Sequence, residues 1–310
     1  MQDVKDGMKR LILRGIETVL QNIIDSGGDI FDSLVMRRGE LIPPRKLRRM
    51  IGGITVARRG HLITPRQLRR MVGSITKARR YRAVGEMLLE CFTNLCSLMP
   101  NEDVLDVGCG CGRQAAPLTK YLDKSSTYEG FDIVPPMIRW CRDNISSRYP
   151  NFHFRLADLS SKVFNPHGQC EASKYQFPYP NESFDFAFAT SVFTHMLPPD
   201  MENYLSEIAR TLRSGGRCLI TFYLLSKESL ELVDAKRSAC DFKHDLGQYR
   251  SIDSDRPERF VCHDESLVFG LHEKYGLEIR RPIRYGTWSW CTKPQPHFLL
   301  GQDIVIASKR

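Results

Sequence analysis

Hydrophobic periodicity divides the chain into two regimes. Near the start, Met8, Leu11, Ile12, Ile16, Val19, Leu20 and Ile23 recur every three or four residues. That spacing predicts an amphipathic helix, stopped by Asp25-Ser26-Gly27-Gly28. Beyond residue 82, helical stretches at 82–99, 114–122 and 264–275 are interleaved with short apolar runs. The runs end at Asp106 or cover 127–133, 151–156, 183–190, 217–224, 277–285 and 302–307. Buried strands bounded by turn residues and alternating with helices predict an α/β fold with a doubly wound sheet. The polar, charged stretch 226–261 reads as a lid.

The first strand ends in the most informative run of the chain, Val-Leu-Asp-Val-Gly-Cys-Gly-Cys-Gly-Arg at 104–113. Gly108, Gly110 and Gly112 leave room for a ligand to approach the backbone and permit positive φ. The helix that follows offers unpaired N–H groups to a carboxylate. The next strand ends in Asp132, where an acid accepts hydrogen bonds from the two hydroxyls of a ribose. A second acid, Asp158, ends the third strand within Ala157-Asp158-Leu159, and the fourth ends at Ser191. The Gly-x-Gly-x-Gly spacing is one residue tighter than the dinucleotide fingerprint, which favours S-adenosylmethionine over NAD.

With these residues in order, the chain over roughly 81–310 resembles class I S-adenosylmethionine-dependent methyltransferases. More narrowly, it resembles a group of largely uncharacterised bacterial members through Tyr128-Glu129-Gly130-Phe131-Asp132-Ile133, Ser191-Val192-Phe193-Thr194-His195-Met196-Leu197-Pro198 and Tyr285-Gly286-Thr287-Trp288. The resemblance implies a Rossmann-like seven-stranded sheet, six strands parallel and the last antiparallel, preceded by a helical basic N-terminal extension. It divides the chain into an extension at 1–81 and a catalytic domain at 82–310. The implied cofactor contacts are Asp106, Gly108, Cys109, Gly110, Gly112 and Arg113 for the methionine end, Asp132 and Ile133 for ribose, and Ala157, Asp158 and Leu159 for adenine, with Ser191 beyond the fourth strand.

Charge adds a second feature. The net charge is +9, yet segment 36–82 carries fifteen Lys and Arg against Glu40 alone, whereas 1–35 and 83–310 are slightly acidic. That basic segment is a tandem repeat: residues 37–55 recur as 58–76, each copy reading as a proline at a helix start, about two helical turns and a glycine stop. Its arginines are either a solvated face around a packing element or a patch for a polyanion or an anionic membrane surface. No apolar run reaches the length of a membrane span, and Lys9, Arg10 and Arg14 interrupt the only candidate signal-peptide core. Ten cysteines without such a signal predict free thiols and a cytoplasmic address, with peripheral membrane contact left open. Cys109 and Cys111 have no second pair at zinc spacing, so no metal is expected.

Methyl transfer to a hydroxyl needs a positioned base. Thr194 and His195 follow the fourth strand, at the sheet edge where such folds bind ligands. His195 has the intrinsic pKa for a base; it equally suits a wall of the cofactor pocket. Tyr175, Phe177 and Tyr179, in a long loop before the fourth strand, offer ring faces to an acceptor or pack the loop onto the body. The leading expectation is methylation of a small-molecule or glycan-like hydroxyl. An RNA methyltransferase using the basic segment and a non-catalytic cofactor binder are the competing readings. The Asn/Asp-Pro-Pro-aromatic motif and the Pro-Cys nucleophile of DNA-base methylation are missing from the sequence.

Overall fold

The computed structural model describes residue 62 and residues 64–71, 77–289 and 301–310. They belong to two compact units, 1–88 with 111–117, and 89–110 with 118–310. The amphipathic helix expected near the start and the whole first repeat copy lie outside the described residues.

In the first unit, α1 (Arg66–Met71) starts directly after Pro65, whose carbonyl accepts the Arg69 N–H at 3.1 Å. The second repeat copy therefore does begin its helix at a proline; its glycine stop lies outside the described residues. Arg69 is 2% exposed and its guanidinium donates to the Thr64 carbonyl, so this arginine is a packing residue. Helix α2 (Ala78–Cys96) begins earlier than the expected residue 82, because Ala78-Arg79-Arg80 contains no breaker. It ends at Ser97, which adopts φ 53°. A boundary between residues 81 and 82 falls inside this helix.

The second unit is built on a seven-stranded sheet. Its strands are β1 (Val104–Val107), β2 (Tyr128–Asp132), β3 (Phe152–Leu156), β4 (Phe184–Ala189), β5 (Leu212–Phe222), β10 (Leu277–Ile279) and β11 (Asp303–Lys309). Their spatial order is β10-β11-β5-β4-β1-β2-β3. Only β11 runs against its neighbours, so six strands are parallel and the last is antiparallel, as expected. Strand order reverses between β1 and β4, which opens a crevice at the carboxyl ends of both. All four residues of β1 are buried, the signature of a parallel strand covered on both faces.

Aromatic packing closes both faces. Phe92 of α2 meets Phe186 and Phe188 of β4 at ring separations of 5.2 and 4.5 Å. On the other face, α5 (Pro198–Thr211) buries Met201, Tyr204, Leu205 and Ile208, the i, i+3, i+4, i+7 stripe of an amphipathic helix. Its first turn holds Pro198, Pro199 and Asp200, residues suited to a helix N-terminus. Strand β5 begins at Leu212, ahead of the expected 217. Arg213 reaches Asp103 at 2.9 Å and Asp185 at 2.5 Å, and Arg217 forks onto Glu102, clasping the amino ends of the strands.

The expected lid at 226–261 is ordered architecture. It contains α6 (Lys227–Asp234), β7 (His244–Asp245), β8 (Tyr249–Ser251) and a 3-10 turn at Pro257–Arg259. With β6 (Leu224–Leu225) and β9 (Val261–Asp264) these strands form a second sheet, ordered β6-β9-β8-β7. Tyr223, Phe242, Cys262 and Trp288 give it a small buried core. The polar composition hid this because only a few apolar residues are needed to fill so small a layer.

Candidate cofactor site

The Gly-loop leaves β1 at the sheet's switch point. Gly108, Gly110 and Gly112 adopt φ of 79°, 53° and 71°, a conformation that costs any residue with a Cβ. At Gly108 a Cβ would also stand 2.3 Å from Val192 Cγ2, so the segment after β4 packs directly on the loop. The N–H groups of Gly108 and Cys109 both donate to the Phe131 carbonyl at 2.9 Å, tying the loop to β2.

Asp132 completes that tie. Its Oδ2 accepts the Gly110 N–H at 2.8 Å and its Oδ1 accepts the Val134 N–H at 2.9 Å. Burial pushes its carboxyl above the ordinary range, opposed by the backbone N–H groups of Gly110, Val134 and Ile133. A carboxylate bears about four lone-pair sites, so acceptor capacity remains for hydroxyl donors. Ile133, beside it, is partly exposed.

The remaining expected residues occupy distinct places. Asp106 is 1% exposed and receives the Tyr128 hydroxyl at 2.5 Å, a buried strut under the loop. Ala157 is buried and donates to the Asp132 carbonyl at 3.0 Å; Asp158 is exposed, with its backbone carbonyl accepting the Gln169 and Cys170 N–H groups. Leu159 is buried, and its carbonyl would meet a Cβ on Gly168 at 2.1 Å. Ser191 holds φ 58°, a strained value for serine, with its N–H on Thr221 Oγ1 at 2.8 Å and its hydroxyl on Gln302 Oε1 at 3.1 Å.

Thr194 and His195 share a 3-10 turn, Phe193–His195. Thr194 is fully buried, and its hydroxyl is enclosed without a hydrogen-bond partner. His195 is half-buried between Phe164, edge-on at 5.0 Å, and Phe260 at 5.3 Å. Its Nδ1 lies 3.0 Å from the Glu258 carbonyl. Burial pushes the imidazole below its ordinary pKa, opposed by the carbonyls of Glu258 and Arg259 and by the Glu258 carboxylate.

Gly112 and Arg113 belong to the first unit. There Tyr81 of α2 places its hydroxyl 3.0 Å from Cys111 Sγ, and the Thr64 hydroxyl donates to the Cys111 carbonyl at 3.4 Å. Arg113 is 8% exposed, with its guanidinium 5.8 Å from the Tyr81 ring centre and its Nε enclosed without a partner. Tyr81 and Gly85 are absent from the sequence reading. Gly85 carried a signal: a glycine in a helix interior is costly, and here a Cβ would stand 2.4 Å from the Arg113 carbonyl. Glu258, Thr221 and Gln302 carried none.

Of the two alternatives for the aromatic loop, Phe177 and Tyr179 take the packing one. Phe177 and Tyr179 do not face an open acceptor site: both are buried, with Phe177 against Phe131 at 4.8 Å and Tyr204 at 5.0 Å. The Phe177 N–H donates to Glu207 of α5, and Arg210 donates to the carbonyls of Phe177 and Tyr179. Tyr175 alone remains half-buried.

Residues 105–220 match the methyltransferase domain family. Over these residues the chain carries a methyltransferase domain. Curated relatives of this domain include Methyltransferase GfsG of Streptomyces halstedii, 30% identical over 44% of this chain and 43% of that protein. A 27-O-demethylrifamycin SV methyltransferase of Amycolatopsis mediterranei is 30% identical over 45% and 46%. A fatty-acid O-methyltransferase of Mycolicibacterium smegmatis is 30% identical over 57% and 62%. The chain thus spans less than half the length of the first two. Among the described residues, no helix is long and apolar enough to cross a membrane.

Proposed function

We propose that this protein transfers a methyl group from S-adenosylmethionine to a hydroxyl oxygen of a small-molecule or glycan-like acceptor. The observation that carries the reading is the pairing of a left-handed Gly-loop with His195 on the turn whose neighbour, Val192, packs on Gly108. Two of the relatives above have names that specify O-methylation.

The residues fit the cofactor. Positive φ at the glycines and the absence of room for a Cβ at Gly108 suit a loop shaped for close backbone approach. Asp132 retains acceptor capacity for ribose hydroxyls, with Ile133 beside it; Ala157, Asp158 and Leu159 are assigned to the adenine side, and Ser191 to the wall opposite. Asp106, Gly108, Cys109 and Gly110 are assigned to the methionine end. When bound, S-adenosylmethionine supplies an electrophilic methyl group on a sulfonium.

His195 performs the proton transfer. A backbone carbonyl only accepts, so Nδ1 carries the hydrogen in the Glu258 contact and Nε2 carries the lone pair. The depressed pKa keeps that lone pair free near neutrality. As an acceptor oxygen took the methyl carbon, the carbon–sulfur bond would break to leave a neutral thioether, and the hydroxyl proton would pass to Nε2 and later to water. Phe164 and Phe260 flank the ring and keep the transfer dry. Thr194, enclosed beneath, supports the turn.

We assign the protein to the cytoplasm. The basic segment 36–82 is assigned a polyanion contact on its charge alone, excluding the buried Arg69.

Calorimetry with S-adenosylmethionine and NAD tests the cofactor; only the former is expected to bind. Labelled S-adenosylmethionine added to cell extract should then mark the small-molecule or glycan fraction. Label confined to nucleic acid would overturn the acceptor class.

A further inference from the structure

His195 meets a residue more than sixty positions away in sequence. Glu258 sits in the 3-10 turn Pro257–Arg259 and uses both its backbone and its side chain. Its carbonyl takes the Nδ1–H of His195 at 3.0 Å. Its carboxylate Oε2 accepts the Ser161 hydroxyl at 3.1 Å and the Lys162 N–H at 3.0 Å. Ser161 in turn organises its own loop: its Oγ accepts the N–H groups of Val163 and Phe164 at 3.3 Å, and Phe164 lies edge-on to the imidazole. One residue therefore joins the second sheet's insertion, the loop after β3 and the turn after β4.

The turn is held from its other side as well. Ser251 of β8 donates to the Pro257 carbonyl at 3.0 Å, and His263 of β9 donates from Nε2 to the Phe193 carbonyl at 3.1 Å. The first contact tethers the Pro257–Arg259 turn and the second the Phe193–His195 turn; among the described residues, the Glu258 carboxylate ties the former to the segment bearing Phe164. An imidazole without a fixed partner exchanges between tautomers, and its Nε2 is then a donor for part of the time. A base needs the opposite arrangement.

We infer that Glu258 is a positioning residue: through its carboxylate it anchors the turn whose carbonyl holds His195 as the Nδ1–H tautomer, with Nε2 bare and Phe164 against the ring. The inference rests on the reading of His195 as the base. It explains why a charged residue is placed in a half-buried turn whose backbone alone touches the imidazole.

The decisive measurement is ¹⁵N NMR of the imidazole nitrogens in the full chain, at a pH where His195 is neutral. The wild type is expected to show protonated Nδ1 and bare Nε2. Glu258→Ala should lose that signature and show exchange-averaged nitrogens, whereas Glu258→Gln, which keeps an acceptor oxygen for Ser161 and Lys162, should restore it. Affinity for S-adenosylmethionine alone should be unchanged in both variants. If Glu258→Ala does not fold, Ser161→Ala removes one of the two anchors and is expected to shift the nitrogens in the same direction. A wild type protonated on Nε2, or variants that keep the wild-type signature, would overturn the inference. A His195→Gln enzyme with undiminished turnover would instead overturn the base reading and leave the tautomer result standing.

Discussion

At the scale of single residues, the proposed function rests on two positions. Gly108 combines φ 79° with a Val192 methyl 2.3 Å from where a Cβ would sit. Gly108→Ala therefore meets both a left-handed backbone cost of about 1–2 kcal/mol and a clash. Calorimetry should show weaker S-adenosylmethionine binding in a folded protein. Adding Val192→Ala should recover part of the loss, because it removes the clash and leaves the backbone cost. Unchanged binding by Gly108→Ala would mean that the loop is not the cofactor cradle. His195→Gln should lower kcat by about 10²–10⁴-fold, the span of acid–base assistance, with cofactor affinity retained. Protonation abolishes a base, and burial depresses this pKa. The acid limb of kcat should therefore have its midpoint below about 6.5, with activity rising as pH increases through it. A midpoint above that value would assign the limb to another group.

Elements show how a loop of suggestive composition can serve packing. The run Tyr175-Gln176-Phe177-Pro178-Tyr179 is bolted to α5 by Glu207, which accepts the Phe177 N–H at 2.7 Å and pairs with Arg210 at 2.6 Å. Phe177 is 1% exposed. Phe177→Ala should accordingly cost about 3–5 kcal/mol of stability, as expected when a large buried ring is deleted. Thermal or denaturant melts are the check, and acceptor selectivity should not change. A stable variant with altered selectivity would return Phe177 to the acceptor site. The second sheet teaches the converse lesson, since its charged sequence folds into ordered strands around a few aromatics.

For the whole molecule, pH and charge are the available levers. Buried His263 and His272 are pushed down to about 4. Because the folded-state value lies below the unfolded one of about 6.5, the unfolded chain takes up protons that the native state refuses. Their contribution is intact above about pH 6.5 and is lost as pH falls towards about 4. Asp303, pushed up to about 7 by burial, acts in the opposite sense and offsets part of the loss. His272→Leu should therefore show a shallower fall in urea midpoint between pH 7 and 5 than the wild type. An equal slope would remove His272 from the account. The duplicated basic segment supplies the second test. Deleting residues 37–57 removes six basic side chains and Glu40, a loss of +5. Cofactor affinity should persist, while retention on anionic vesicles or heparin weakens in a salt-dependent way. Loss of cofactor affinity would make the first copy part of the fold.

What the sequence determined by itself was local and periodic. Strand β1, its glycines and the acid ending β2 were all legible, because a buried parallel strand must be apolar and a left-handed turn admits few residues other than glycine. The antiparallel last strand was legible through resemblance. Tertiary structure alone decided which polar groups meet. Glu258 reaches His195, Gln302 reaches Ser191 and Tyr81 reaches Cys111 across intervals of 63, 111 and 30 residues. A hydrogen bond leaves no periodic trace in either strand of sequence that supplies its partners, so such pairings appear only when the chain has folded. The same reason left two alternatives open for the aromatic loop: whether Phe177 faces ligand or core depends on Phe131 and Tyr204, which no local pattern brings to it.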